Sequence, residues 1–352
     1  MYKLIAAFAI SQLAALSPEA PFHEPQLAAG AGLVAMTFGA GADVYVSVSA
    51  NNGDTFGKPV KVATAPVVPL TRHRGPRIVI SGKAIVVTAV VGQTAATGQH
   101  AHGLPSDGDL LAWRSTDRGV TWSMPVRIND VPAAPTEGLH TLASDGHGIL
   151  FAAWLDKRGR GTALYGAWSS DAGATWTKNV DIYDSPDGTI CECCHPSAAF
   201  DRDRGLDLMW RNVLDGSRDF YLLHADAAHR FGAPRKVGDG TWKINACPMD
   251  GGGLVHAGAR TITAWRRMND IFMAEPGKPE TKIGEGKDVT MAAAGDRVYV
   301  AWIKDDQLIL WENGNEQKIA AHAAYPALTS LPAGGALLAW EENNGISTRR
   351  LQ

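Results

Sequence analysis

Two eight-residue phrases, STDRGVTW (115–122) and SSDAGATW (169–176), agree at every defining position, and two looser copies stand at SANNGDTF (49–56) and HADAAHRF (224–231). An internal repeat outranks composition as a constraint, because one supersecondary unit must then recur along the chain. The phrase is a turn device. A short polar side chain (Asp117, Asp171) bonds its own turn backbone, a glycine (Gly119, Gly173) supplies positive φ, and Trp122 or Trp176 anchors the turn in a core.

A second repeat accompanies the first. FAAWLDKR (151–158), DLMWRN (207–212), ITAWRR (262–267), YVAWIKDD (299–306) and LLAWEENN (337–344) each run apolar residues into a Trp and then charges. A small-residue strand precedes each and another strand-like run follows. With two looser units around GLVAMTF and KAIVVTAVV the count is seven, and short strands with tight turns are expected throughout.

The first repeat resembles the Asp-box, or BNR, repeat of sialidase-like β-propellers. The resemblance implies an all-β propeller of four-stranded blades, with the boxes as structural turns on the face away from the binding site. The unit count predicts seven blades, against the six of sialidases. The last unit ends at Gln352 without an outer strand, so residues just after a leader segment are expected to close the ring.

The leader is read from MYKLIAAFAISQLAALSPEA, where one lysine precedes an apolar run too short to span a bilayer. Residues 1–20 are expected to be a signal peptide and 21–352 a single propeller domain, placing a monomeric protein in the periplasm or outside the cell. A formal net charge of -3 gives no reason to expect nucleic acid as a partner. No integral membrane segment is expected in the mature chain.

In a propeller, the loops leading into each inner strand and those joining second to third strands open on one face. That geometry gathers His73, Arg74, Arg77, Glu137, His140, His195, Asp250, Arg211, Arg218, Asp219, Arg266 and Arg267 at one mouth, where a small anionic or carbohydrate ligand is expected. Sialidases resemble one another in three arginines that hold a substrate carboxylate, a Tyr–Glu nucleophilic pair and an Asp acid. The resemblance offers Arg74 or Arg77, Arg211 or Arg218, and Arg266 or Arg267 for the arginines, with Tyr325 and Glu137 as the catalytic pair. The sialidase Arg-Ile-Pro phrase is absent; Arg77-Ile78 lacks the proline.

CECCHP (191–196) concentrates three of the four cysteines. Export and an even count point to disulfides, with Cys191–Cys194 and Cys193–Cys247 the expected pairs, and then no cofactor. Alternatives are a copper or other soft-metal site drawn from Cys191, Cys193, Cys194, His195, Cys247 and Met249, and haem c attachment at Cys191-x-x-Cys194-His195. Together EGLH, CECCHPS, WRN, SRD and CPMDGG are similar to a bacterial subgroup of exported proteins described as sialidase-like. The functional readings are therefore sialidase-type glycoside hydrolysis, a non-catalytic carbohydrate- or protein-binding propeller, and a periplasmic copper- or haem-binding protein.

Overall fold

A computed structural model describes residues 11–13, 21–98, 101 and 103–352. The chain forms seven four-stranded antiparallel sheets in sequence order, so the expectation of seven blades holds. Blades 1 to 6 are β2–β5 (23–64), β6–β9 (77–127), β10–β13 (140–183), β14–β17 (197–236), β18–β21 (253–285) and β22–β25 (287–321). Blade 7 takes β26–β28 (324–351) and is completed by β1 (Ser11–Leu13), which pairs antiparallel with β28. The closing strand thus comes from within residues 1–20, not from residues following them.

Period-two alternation explains how blades stack. In β7 (Ala84–Val91) every residue is buried. Ile85, Val87 and Ala89 face blade 1, while Ala84, Val86 and Val90 face blade 3. The second strand of each blade is thus apolar on both sides, because it lies between two sheets. The repeated tryptophans fill these layers: Trp154, Trp210, Trp302 and Trp340 have no exposure.

The Asp-box turns join third to fourth strands, and each box aromatic packs into the layer before its own blade: Phe56, Trp122, Trp176 and Phe231. In the 169–176 box, Asp171 Oδ1 accepts from Ser169 Oγ at 2.8 Å and from the Thr175 amide at 2.9 Å. Ser169 Oγ in turn accepts from Gly173 N at 2.9 Å. Gly173 sits at φ 84°, and a Cβ there would come within 2.9 Å of Val86 Cγ2. Asp171→Ala is expected to cost about 1 kcal/mol in a denaturant titration while leaving the opposite face unchanged.

Candidate functional site

The seven inner strands enclose a channel of about 210 Å³, lined by residues such as Gln26, Ile78, Thr141, Ser197, Gly253, Thr290 and Leu328. His73, Arg77 and His195 border it on the side opposite the Asp boxes. Three inner strands begin with the same irregularity. Glu24, Asp288 and Tyr325 each sit at a register shift with left-handed φ (52°, 60° and 46°). Such bulges re-aim a side chain at some cost in backbone strain, a pattern that clusters at functional sites.

His73 is the hub. Its Nε2 lies 2.9 Å from Asp288 Oδ1, its ring 4.9 Å from the His195 ring and 5.4 Å from the Tyr325 ring. Its backbone N donates to Glu24 Oε1 at 2.8 Å, and Gly75 N donates to Glu24 Oε2. Asp288 N donates to Asp250 Oδ2 at 3.1 Å, and Arg266 Nη1 lies 3.8 Å from the same oxygen. His73, Asp250 and Asp288 hold their ligand-capable atoms within 4.8 Å of one another. Beneath the mouth, Gly251 leaves room for His195: a Cβ there would come within 2.2 Å of His195 Cε1.

These groups are pushed to different proton affinities. Burial opposes the charged form of His73, but the hydrogen bond and charge of Asp288 win and hold it above its usual value. Burial, then the charges of His73, Arg77 and Arg211, drives His195 well below its usual value. Burial and the neighbouring charge of Asp288 raise Asp250 to about 6. Burial raises the Tyr325 phenol, aided by Glu24, Glu341 and Asp288 and opposed by the Arg72 amide, which donates to its hydroxyl at 3.1 Å. His195 Nδ1 and Asp250 Oδ1 are buried with no hydrogen-bond partner.

The arginines serve mainly as buttresses. Arg77 donates to the carbonyls of His73, Gly75 and Pro76 at 2.6, 2.8 and 3.2 Å. Arg211 donates to those of Arg218, Asp250 and Arg266 at 2.8, 3.3 and 2.9 Å, with its guanidinium over Phe220 and Trp242. Arg266 also lies over the Trp242 ring and bonds the Met268 carbonyl. Arg74 bonds the Glu137 carbonyl and carboxylate, and Lys157 takes the other carboxylate oxygen. Glu137 is therefore engaged with Arg74 and Lys157, while the carboxylates acting on Tyr325 are Glu24, Glu341 and Asp288. Arg267 is held by Glu280 and lies over Phe272. Asp219 receives the Trp242 amide and Lys236. His140 is sealed from solvent, its Nε2 3.0 Å from Thr88 Oγ1.

Glu24 and Asp288 escaped the sequence reading. Superposing HEPQLAAG, KDVTMAAA and AYPALTS puts both in register with Tyr325, which is the signal that reveals them.

The four cysteines are thiols in this structure. Cys191 Sγ lies 3.2 Å from Cys194 Sγ and 3.7 Å from Cys193 Sγ, while Cys247 is exposed and outside that group. Contacts with Cys193 and Cys194 hold Cys191 well below the usual thiol range; contact with Cys191 raises Cys193, and burial raises Cys194.

Fold and mouth together define a seven-bladed Asp-box propeller with a His–carboxylate cluster over its channel. No family model and no curated protein matches the sequence. Among solved structures, it is similar to a PL25 polysaccharide lyase, ulvan lyase, bound to -[GlcA(1-4)Rha3S]- (TM-score 0.61, 11% identity, covering 97% of this chain and 96% of that one). It is also similar to the NanB sialidase of Streptococcus pneumoniae (TM-score 0.56, 11% identity, 98% and 70%) and to the intramolecular trans-sialidase of Ruminococcus gnavus (TM-score 0.51, 11% identity, 94% of each). At such identity these likenesses speak to the fold.

Proposed function

We propose that the mouth binds an anionic saccharide and acts on it by proton transfer. The observation that carries this reading is the pair of buried, unpartnered atoms at one opening, His195 Nδ1 and Asp250 Oδ1. Their environments push them apart: a neutral imidazole is a base, and a carboxyl raised to about 6 is an acid near neutral pH. Arg266 and His73, whose proton affinity is held above its usual value, lie beside them and provide charge for a sugar carboxylate. A saccharide ligand is further supported by the glucuronate-containing one in the ulvan lyase structure.

With a uronate in place, elimination is the reaction these groups suit best. His195 takes the proton α to the carboxylate, and the C–H electron pair becomes the new ring double bond. The glycosidic C–O bond breaks, and Asp250 protonates the departing oxygen. Sialidase-type hydrolysis is the second reading, favoured by Tyr325 lying under the charge of Glu24. It has less support because Arg77 and Arg211 spend their donors on backbone carbonyls. Export to the periplasm or beyond belongs to the same proposal; cleavage near residue 20 would leave blade 7 with three strands.

The test offers the full chain uronate-containing and sialylated oligosaccharides. An ultraviolet-absorbing unsaturated uronate is expected, with His195→Ala slower by about 10²- to 10⁴-fold. Activity should fall as pH rises through about 6, where Asp250 loses its proton, and Asp250→Asn should lose that limb along with most of the rate. Release of sialic acid without the absorbance selects hydrolysis. Calorimetric binding without turnover reduces the mouth to a recognition site, and no binding to any saccharide overturns the reading.

A further inference from the structure

The cysteine loop carries chemistry that the mouth reaction does not use. Cys191, Cys193 and Cys194 are all buried, and their sulfurs lie within 4.8 Å of one another. A disulfide brings two sulfurs to about 2.05 Å and would leave the third buried thiol unpaired. Thiolates bound at about 2.3 Å to one cation sit roughly 3.8 Å apart; the Cys191–Cys193 pair at 3.7 Å is already close to this, and the Cys191–Cys194 pair at 3.2 Å would open slightly around an ion.

The charged surroundings favour the thiolate form of these sulfurs, which a soft cation needs. Arg218 Nη1 donates to Cys191 Sγ at 3.2 Å, and the charge of buried Arg211 bears on both Cys191 and Cys194. The Met249 side chain packs against the cluster, with Val213 also covering it. Cys191 N donates to the Arg211 carbonyl at 3.0 Å, which pins the loop to β15 (Leu206–Arg211).

The geometry points to a binding site for one Cu(I) ion, held by the thiolates of Cys191, Cys193 and Cys194 with the Met249 thioether against it. Three thiolates and one monovalent ion leave two negative charges, which Arg211 and Arg218 match. A zinc ion would leave one, and it prefers four nitrogen, sulfur or oxygen donors in a tetrahedron; the His195 ring instead lies 4.9 Å from that of His73, tilted against it. Soft thiolate donors suit Cu(I) and zinc alike, but a thioether is not among the usual zinc donors, so the set with Met249 favours Cu(I). Binding releases the thiol protons and transfers no electrons when copper is supplied as Cu(I). An ion here would also stiffen the lead-in that carries His195. The inference is independent of the saccharide reading, which is measured by other assays.

The experiment titrates full-length, reduced protein under anaerobic conditions with Cu(I) against a competing chelator, and separately with Zn(II). One Cu(I) per chain is expected, with a near-ultraviolet thiolate-to-copper band and a higher Tm. Cys193→Ser and Cys194→Ser should lose the band, Cys247→Ser should keep it, and Arg218→Met should weaken binding about 10- to 100-fold. Should the cysteine variants fail to fold, alkylation of the wild type supplies the answer: Cu(I) should protect three cysteines and leave Cys247 reactive. Equal alkylation with and without Cu(I), tighter binding of Zn(II) than Cu(I), or loss of the band in Cys247→Ser overturns the proposal. So does a Cys191–Cys194 disulfide in the unreduced protein together with no copper uptake after reduction.

Discussion

Acid is expected to destabilise this propeller in part through His140, with His195, also lowered by burial, acting in the same direction. Burial, reinforced by the charge of Arg77, lowers the His140 imidazole to about 3. The folded value lies below the ordinary value near 6.5, so the folded state binds fewer protons than the unfolded one over that window. Its contribution to stability is intact above about pH 6.5 and is lost as pH falls toward 3, reaching about 3 kcal/mol by about pH 4. His140→Gln keeps a partner for Thr88 Oγ1 and removes the titration. Urea unfolding of both proteins from pH 7 to 4 should show their difference in stability shifting by that amount in favour of the variant. Parallel curves would mean that His140 takes up its proton as readily in the folded state as in the unfolded one. His195, lowered by burial, contributes with the same sign, and Asp250 and Glu24, both raised by burial, with the opposite sign, so only the difference between variants isolates His140.

Arg211 carries the second large effect. Its guanidinium ties β15 to the loops bearing Arg218 and Asp250 and to Arg266 at the end of β19 (Arg260–Arg267), and so fixes blade 4 against blade 5 beneath the mouth. Arg211→Ala strands three carbonyls and empties the space between Phe220 and Trp242. A loss of about 3 kcal/mol or more is expected. Arg211→Lys should recover only part, because an ammonium lacks the planar fork that reaches several carbonyls while stacking on rings. Thermal and urea unfolding check this; wild-type stability in the alanine variant would show that the bracket contributes nothing.

Much of the mouth was legible before any coordinates. His73, His195, Arg266 and Asp250 stand where propeller topology places loop residues of the open face, and they do meet there. Tyr325 was placed by the same logic, but its acidic neighbour was not. Glu137 looks suitable from the sequence because it stands just before an inner strand, yet Arg74 and Lys157 occupy it. Glu24 and Asp288 do not stand out in the sequence, because each precedes an unremarkable apolar run. Their importance comes from a left-handed bulge, which periodicity does not encode. The arginines mark a further limit. Sequence placed them near the mouth, but whether a guanidinium faces solvent or bonds a carbonyl depends on neighbouring blades.

The sequence by itself determined the architecture. Asp boxes and buried apolar-Trp strands recur as seven units, and each unit has two apolar faces that only a neighbouring blade can cover. Local turn chemistry and period-two burial are written in adjacent residues, so they can be read without coordinates. Tertiary structure decided which distant groups meet: Glu24 with His73, Asp288 with Asp250, Arg218 with Cys191, and Ser11–Leu13 with the last strand. Those meetings join residues far apart in the chain. They follow from ring closure and from the bulges that aim side chains inward, which no local pattern specifies.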